Sequence, residues 1–262
     1  MSADAEDLAL GKALDLVVPL AVAVSGGVDS MTLATFAYRR VPGLVTVIHA
    51  VSPAVPAAAT QRVSQAAAAE GWSLTITGTG EFEDIRYRDN PADRCYFCKT
   101  NLYERIRYLT PHRIASGANV DDLDDYRPGL IAARECNVVH PFIEAGMTKA
   151  MVRSLARALG LGDIAELPAQ PCLSSRVETG IRIDPDDLAF VERVEARLAE
   201  ITPLGTALRC RIMRRGVVIE VGAEAAAART SITEAANAMC RAAGRQFDGV
   251  REYRRGAMFV QS

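Results

Sequence analysis

The sequence predicts an α/β protein: a parallel sheet covered by helices on both faces, followed by a small C-terminal α/β domain. Three observations carry this. Short apolar, β-branched runs alternate with helix-length segments over residues 19–159, the spacing that parallel strands with crossover helices need. The first of those runs stops at a glycine turn that opens a helix. A stretch rich in Pro, Ser and Gly at 168–180 then breaks the pattern before a second, shorter one begins.

In order, residues 19–24 read as a strand and 28–40 as a helix. A second strand at 44–49 ends at Ser52-Pro53, and 54–70 is helical with a long alanine face, stopped by Gly71. Residues 73–77 form a third strand, 94–109 a helix, and 112–115 a strand with Gly117-Ala118-Asn119 as its exit loop. A helix at 148–159 is closed by Gly160. This pattern sets a first domain at 1–180 and a second at 181–262. In the second, Asp184 is the N-cap and Pro185 the first residue of a helix to about 201, with acids in its first turn. Residues 207–213 and 217–221 pair as a hairpin, 223–243 is helical with a break near Thr230-Ser231, and 249–253 is the last strand.

Composition narrows the class. The chain has 262 residues, 49% hydrophobic and 24% charged, with net charge −2, enough for one large domain plus a small one. The near-neutral balance makes no electrostatic case for a nucleic-acid footprint. No apolar run approaches the roughly 20 residues that cross a bilayer. Residues 2–7 are acidic and lack the basic-then-apolar form of a signal peptide. Six cysteines in such a chain read as reduced thiols, cluster or metal ligands, or core fillers. The expected compartment is the cytoplasm, with neither nucleic acid nor membrane as partner.

The glycine turn is Ser25-Gly26-Gly27-Val28-Asp29-Ser30. Its glycines permit left-handed backbone and close ligand approach, and its N–H groups converge at a helix N-terminus, a nest for phosphate. Neither G-x-x-x-x-G-K-S/T nor G-x-G-x-x-G is present. Two glycines alone would be a plain turn. The six-residue string after a buried strand instead resembles the PP-loop of the N-type ATP pyrophosphatases, which cleave ATP between its α- and β-phosphates.

Three further strings follow. Asn90-Pro91-Ala92-Asp93-Arg94-Cys95-Tyr96-Phe97-Cys98-Lys99 holds one C-x-x-C, readable as half a zinc site, a redox pair or two thiols on one helix face. No second pair completes a zinc site, and His49, His112 and His140 read as packing or solvated edges. Gly117-Ala118-Asn119 leads into Asp121, Asp122, Asp124 and Asp125, a solvated loop or a place to hold Mg²⁺ or order an adenylate. In Pro171-Cys172-Leu173-Ser174-Ser175-Arg176 the cysteine is by default a small hydrophobe. Arg176 could pair with a phosphate or depress the thiol pKa.

Taken together and in this order, these strings, with Pro141-Phe142-Ile143-Glu144-Ala145-Gly146-Met147-Thr148-Lys149, resemble the LarE family. Its members are ATP-dependent sulfur transferases that build the nickel-pincer nucleotide of lactate racemase. The resemblance is strong over 22–176 and weaker through Leu208-Arg209-Cys210-Arg211 and 253–258.

The resemblance implies that, with Mg²⁺, a carboxylate of pyridinium-3,5-biscarboxylic acid mononucleotide is adenylylated and pyrophosphate leaves. Sulfur then displaces AMP, with Cys172 carrying the sulfur chemistry. In single-cysteine members the protein's own thiolate attacks and is left as dehydroalanine. In three-cysteine members a C-x-x-C joins that thiol to hold a 4Fe–4S cluster whose open iron carries sulfide. Cys95, Cys98 and Cys172 fill all three positions, which favours the cluster version over merely neighbouring thiols. Cys136, Cys210 and Cys240 match no motif and are read as packing.

By the same resemblance, Ser25, Gly26, Gly27, Asp29 and Ser30 bind ATP phosphates. Gly117 and Asn119 approach the adenylate, and Arg176 sits beside the thiol and a phosphate. Arg209 and Arg211, outward on one strand, form an anion pair for the substrate phosphate. Glu195 lies near metal, and Lys99 fits a phosphate contact or a helix cap. A homo-oligomer, a hexamer in the family, and other nickel-pincer biosynthesis proteins are the implied partners beside the small-molecule nucleotide. Val177-Glu178-Thr179-Gly180 and the 258–262 tail depart from the family pattern. The competing readings are a tRNA-thiolating PP-loop enzyme, which should carry a basic, aromatic-dotted extension or a second C-x-x-C, an amidotransferase or NAD-synthase-like ligase, and a non-catalytic nucleotide-binding module.

Overall fold

The computed structural model describes residues 3–124 and 126–253. Asp125, the 254–258 part of the weaker resemblance and the 258–262 tail lie outside them. The elements run α1 (Ala3–Asp15), β1 (Leu20–Val24), α2 (Val28–Arg40), β2 (Val45–Val51), α3 (Ala57–Glu70) and β3 (Leu74–Gly78). They continue with a single turn α4 (Ile85–Arg88), then α5 (Arg94–Leu109), β4 (Arg113–Ala115), α6 (Pro128–Glu135) and α7 (Pro141–Glu144). Then come α8 (Lys149–Ala158), a short α9 (Asp163–Glu166), α10 (Pro185–Ala199), β5 (Leu208–Met213), β6 (Gly216–Val221), α11 (Arg229–Ala242) and β7 (Phe247–Glu252).

By internal contacts the chain divides into two units: one up to Asp84 together with Asp93–Gln170, the other Ile85–Ala92 together with the chain from Pro171 onward. The first unit is the predicted Rossmann-like α/β layer structure. Its sheet has the order β3-β2-β1-β4, and every pairing is parallel, with Leu20 opposite both Val45 and Arg113. Alternate residues of β1 feed different cores, as a period of two requires. Leu20, Val22 and Val24 pack with Leu10, Met31 and Phe142, whereas Ala21 packs with Leu102, Ile106 and Ile114. Both faces of the central strand are therefore buried, which is why it reads as a continuous apolar run.

Helix α3 begins three residues later than its alanine face suggests. Ser52 folds 52–55 into a turn, its Oγ accepting from Ala54 N–H at 3.2 Å and its carbonyl from Val55 at 3.0 Å, and Pro56 takes the N-cap. Strand β2 runs past His49 to Val51 because β3 continues beside it, Val51 opposite Gly78.

In the second unit the predicted hairpin is present, with Arg211 opposite Val218. The last strand lies at Phe247–Glu252, earlier than expected, and runs parallel to β6. The 223–243 helix is interrupted close to Thr230-Ser231, as expected: a 3₁₀ segment (Ala223–Ala228), itself non-helical at Ala225, gives way to α11 at Arg229. The 3₁₀ segment is tied at its start to the residue before β5: Gly222 N–H donates to Ala207 O at 2.8 Å and Glu224 Oε1 accepts from Ala207 N–H at 3.0 Å.

The sequence places the domain join near Gly180, whereas the division of contacts falls after Gln170. Residues 171–180 bond within the second unit, Glu178 N–H to Ile212 O at 2.9 Å. Asn90 explains why 85–92 belongs there too. Buried, with φ of 54°, it donates from Nδ2 to the carbonyls of Glu178 at 2.9 Å and Ile181 at 3.0 Å, and accepts from Gly180 N–H at 2.9 Å. Among the described residues no helix is long and apolar enough to cross a membrane.

Candidate functional site

The Ser25–Ser30 turn lies at the C-terminal end of the central strand, where ligands bind in open parallel sheets. Gly26 has φ of +80°, and a Cβ there would sit 2.8 Å from the Ala59 carbonyl oxygen, so only glycine fits. Gly27 is the N-cap of α2. Ser30 Oγ accepts from Ser25 N–H at 3.1 Å, donates to Gly27 O at 3.2 Å, and lies 3.2 Å from Ser25 Oγ. These bonds hold the turn in shape while Ser25 remains exposed.

The β4 exit loop is packed onto this turn. A Cβ on Gly117 would come within 2.7 Å of Ser30 N and 2.8 Å of Asp29 C. Asn119, buried, donates from Nδ2 to Asp29 Oδ1 at 3.3 Å. The first unit thus gathers Ser25, Gly26, Gly27, Asp29, Ser30, Gly117 and Asn119 at one sheet end.

Residues to which sequence reasoning assigned no role join them. Lys149, first in α8, places Nζ on Asp29 Oδ2, and its N–H donates to Asp121 Oδ2 at 2.8 Å. Arg62 Nη1 donates to Gly26 O at 3.0 Å. The Met-Thr-Lys string, with Thr148 as a ready N-cap, was the available signal for Lys149. The two leading acids of the Asp-rich loop act as caps and tethers. Asp122 accepts from Asn119 N–H at 3.0 Å and pairs with Arg127 at 2.7 Å, while Asp121 holds Lys149.

His49 is packed, as expected, with no solvent exposure. Nδ1 donates to the Val24 carbonyl at 2.9 Å, so Nε2 is left to accept from Thr60 Oγ1 at 2.9 Å. Burial lowers its pKa, outweighing the raising effect of the Val24 bond. His140, beside Ser116 Oγ at 2.8 Å, is also lowered by burial, with Glu144 and Asp122 opposing.

Cys95 and Cys98 are half-buried in the first two turns of α5, and residues three apart share a helix face. Lys99 lies within that helix rather than at its cap, Nζ 6.0 Å from the Tyr103 ring centroid. Cys172 belongs to the second unit and is the N-cap of a 3₁₀ turn, Leu173–Arg176. Among the described residues no three His, Cys, Asp or Glu side chains gather as a metal site. Burial raises the thiol pKa of Cys136, Cys210 and Cys240, most of all Cys210, which suits protonated packing groups.

Arg176, only 5% exposed, is the centre of the Cys172 turn. Nε and Nη2 grip both oxygens of Glu195 at 3.0 Å. Nη1 donates to the carbonyls of Pro171 at 2.7 Å and Cys172 at 3.2 Å, and to Ser175 Oγ at 3.0 Å. Glu195 also accepts from Cys210 N–H at 2.9 Å. Arg209 and Arg211 share a strand face, yet the face is closed to solvent at Arg211 and Arg209 is half-buried. Arg211 is buried, bonded to Glu220 Oε2 at 2.8 Å and Ser175 O at 2.8 Å. Glu220 also takes Arg251 Nη2 at 2.7 Å. Arg209 lies 5.7 Å over the Tyr253 ring, and burial lowers its pKa ahead of the repulsion from Arg176.

No protein-family model matches the sequence. The chain is 36% identical over 184 residues to an uncharacterized protein of Synechocystis sp., covering 69% of this chain and 68% of that protein. It is 32% identical over 139 residues to an uncharacterized protein of Methanocaldococcus jannaschii, covering 50% and 52%. With the pyridinium-3,5-bisthiocarboxylic acid mononucleotide synthase of Lactiplantibacillus plantarum it shares 30% identity over 186 residues, 69% of this chain and 67% of that one. That extent of identity, over a chain that builds a PP-loop on a parallel sheet and anchors Cys172 on a fixed turn, shows that the protein belongs to the LarE family of pyridinium-3,5-bisthiocarboxylic acid mononucleotide synthases.

Proposed function

We propose that this protein is an ATP-dependent sulfur transferase that converts a carboxylate of pyridinium-3,5-biscarboxylic acid mononucleotide, or its half-thiolated form, to a thiocarboxylate. The observation that carries the reading is the Ser25–Ser30 turn at the sheet end, with Gly117 pressed against Ser30, in a chain whose relative is named for making a bisthiocarboxylic acid mononucleotide.

The loop N–H groups and the Ser25 and Ser30 hydroxyls bind the ATP phosphates. The substrate carboxylate forms a bond to the α-phosphorus, the bridging bond breaks, and the electron pair leaves with pyrophosphate, whose charge the preorganised N–H groups stabilise. Mg²⁺ held on phosphates needs only one or two protein carboxylates, and Asp29 is the one this loop offers. The acyl adenylate is then electrophilic at carbon, and sulfur displaces AMP at Cys172. Arg176 and Glu195 keep that turn in place, and Arg209 and Arg211 line the strand beside it.

Cys95, Cys98 and Cys172 are the residues that would hold a 4Fe–4S cluster, the first two preset on one helix face; when bound, it supplies an open iron able to carry sulfide. The test is incubation with ATP, Mg²⁺ and the mononucleotide under anaerobic conditions, following pyrophosphate and AMP. Equal release of both, with a thiocarboxylate product, is expected. Absence of AMP rejects the proposal, and turnover with tRNA in place of the mononucleotide redirects it to RNA thiolation.

A further inference from the structure

We infer that Lys149 is a second cationic contact for the ATP phosphates, holding the pyrophosphate as it leaves, with Asp29 as the carboxylate that aims it. The inference rests on the ATP reading above. Lys149 is fixed at three points. Thr148 caps α8 by accepting from Met151 N–H at 3.3 Å, the Lys149 N–H donates to Asp121 Oδ2 at 2.8 Å, and Nζ is paired with Asp29 Oδ2. Asp29 is in turn steadied by Asn119 at 3.3 Å, and it lies inside the loop whose backbone forms the nest.

Stability does not account for this arrangement. The side chains are 35% and 28% exposed, and pairs of that kind contribute little. Placement does account for it. An ammonium has three donors and Asp29 takes one, so the others can face phosphate oxygens bound to the adjacent N–H groups. A compact ammonium is a point charge suited to phosphate. As the bond between the α-phosphorus and the bridging oxygen breaks, the electron pair passes to pyrophosphate, and Lys149 keeps its proton while donating hydrogen bonds to that charge.

The experiment titrates the full-length protein with inorganic pyrophosphate and, separately, with AMP, alongside turnover with ATP. Lys149→Met is expected to weaken pyrophosphate binding about 10–100-fold, leave AMP affinity unchanged, and lower kcat for pyrophosphate release. Lys149→Arg should recover part of both losses. Unchanged pyrophosphate affinity in Lys149→Met overturns the inference while leaving the proposed function standing. Equal weakening of AMP and pyrophosphate also overturns it, because a structural role through Asp29 would do that. A wild-type protein that binds neither ligand and cleaves no ATP removes both.

Discussion

Glu195 meets Arg176 edge to edge, Nε on Oε1 and Nη2 on Oε2, each at 3.0 Å. Arg176 is buried and Glu195 is mostly buried, so removing the carboxylate leaves two guanidinium donors, Nε and Nη2, without their acceptor. Glu195→Ala is expected to destabilise the protein by about 3 kcal/mol and to abolish sulfur transfer while pyrophosphate release persists. Urea denaturation and separate assays of the two half-reactions check this. Wild-type stability in the variant would show that the pair is dispensable.

Gly117→Ala would push a Cβ to 2.7 Å from Ser30 N. The three nearest atoms are all backbone of Asp29 and Ser30, which leaves no flexible side-chain end to yield, and overpacking of this kind costs about 1–3 kcal/mol. ATP affinity should fall roughly 10–100-fold, read by titration with ATP, and the far-ultraviolet circular dichroism should not change.

His49 and His140 are both held below the ordinary imidazole range by burial. The unfolded chain takes up these protons near pH 6.5, the folded chain only at lower pH. Stability is therefore fully present above about 6.5 and is lost as pH falls below it, by at most about 1.4 kcal/mol per pH unit for each group. Denaturation midpoints at pH 7.5 and 5.5 should show the loss, and His49→Gln should reduce the slope by up to one proton.

Cys172→Ala should stop thiocarboxylate formation and leave adenylation intact, since sulfur acts only after AMP is attached. Loss of pyrophosphate release in this variant would reverse that order of events.

Anaerobically reconstituted protein should be brown and hold about four irons per chain, with Cys95→Ala and Cys98→Ala each lowering the iron content. Colourless protein whose Cys172 becomes dehydroalanine after turnover would assign the sulfur to the side chain itself.

What was legible in the sequence was local. The Ser25–Ser30 turn is written in six consecutive residues, and β1 announces itself because both of its faces are buried. Relationships across long separations were not legible. Nothing near Asp29 foretells Lys149, and nothing near Asn90 foretells that its side chain grips carbonyls beyond residue 177. Alternation put Arg209 and Arg211 on one face, but only the pairing with β6 brings Glu220 against Arg211 and takes Arg211 out of solvent. The first helix, Ala3–Asp15, went unread: its apolar residues are mostly alanine and its leucines do not keep to one stripe, since Leu10 and Leu14 are fully buried and Leu8 is exposed.

The Cys172 turn carries a last implication. Arg176 grips it through the main-chain oxygens of Pro171 and Cys172, and those bonds do not involve the sulfur. The scaffold is therefore indifferent to what befalls that atom. Whether residue 172 is a thiol, a ligand or a side chain stripped of its sulfur, the same two bonds remain to keep its place.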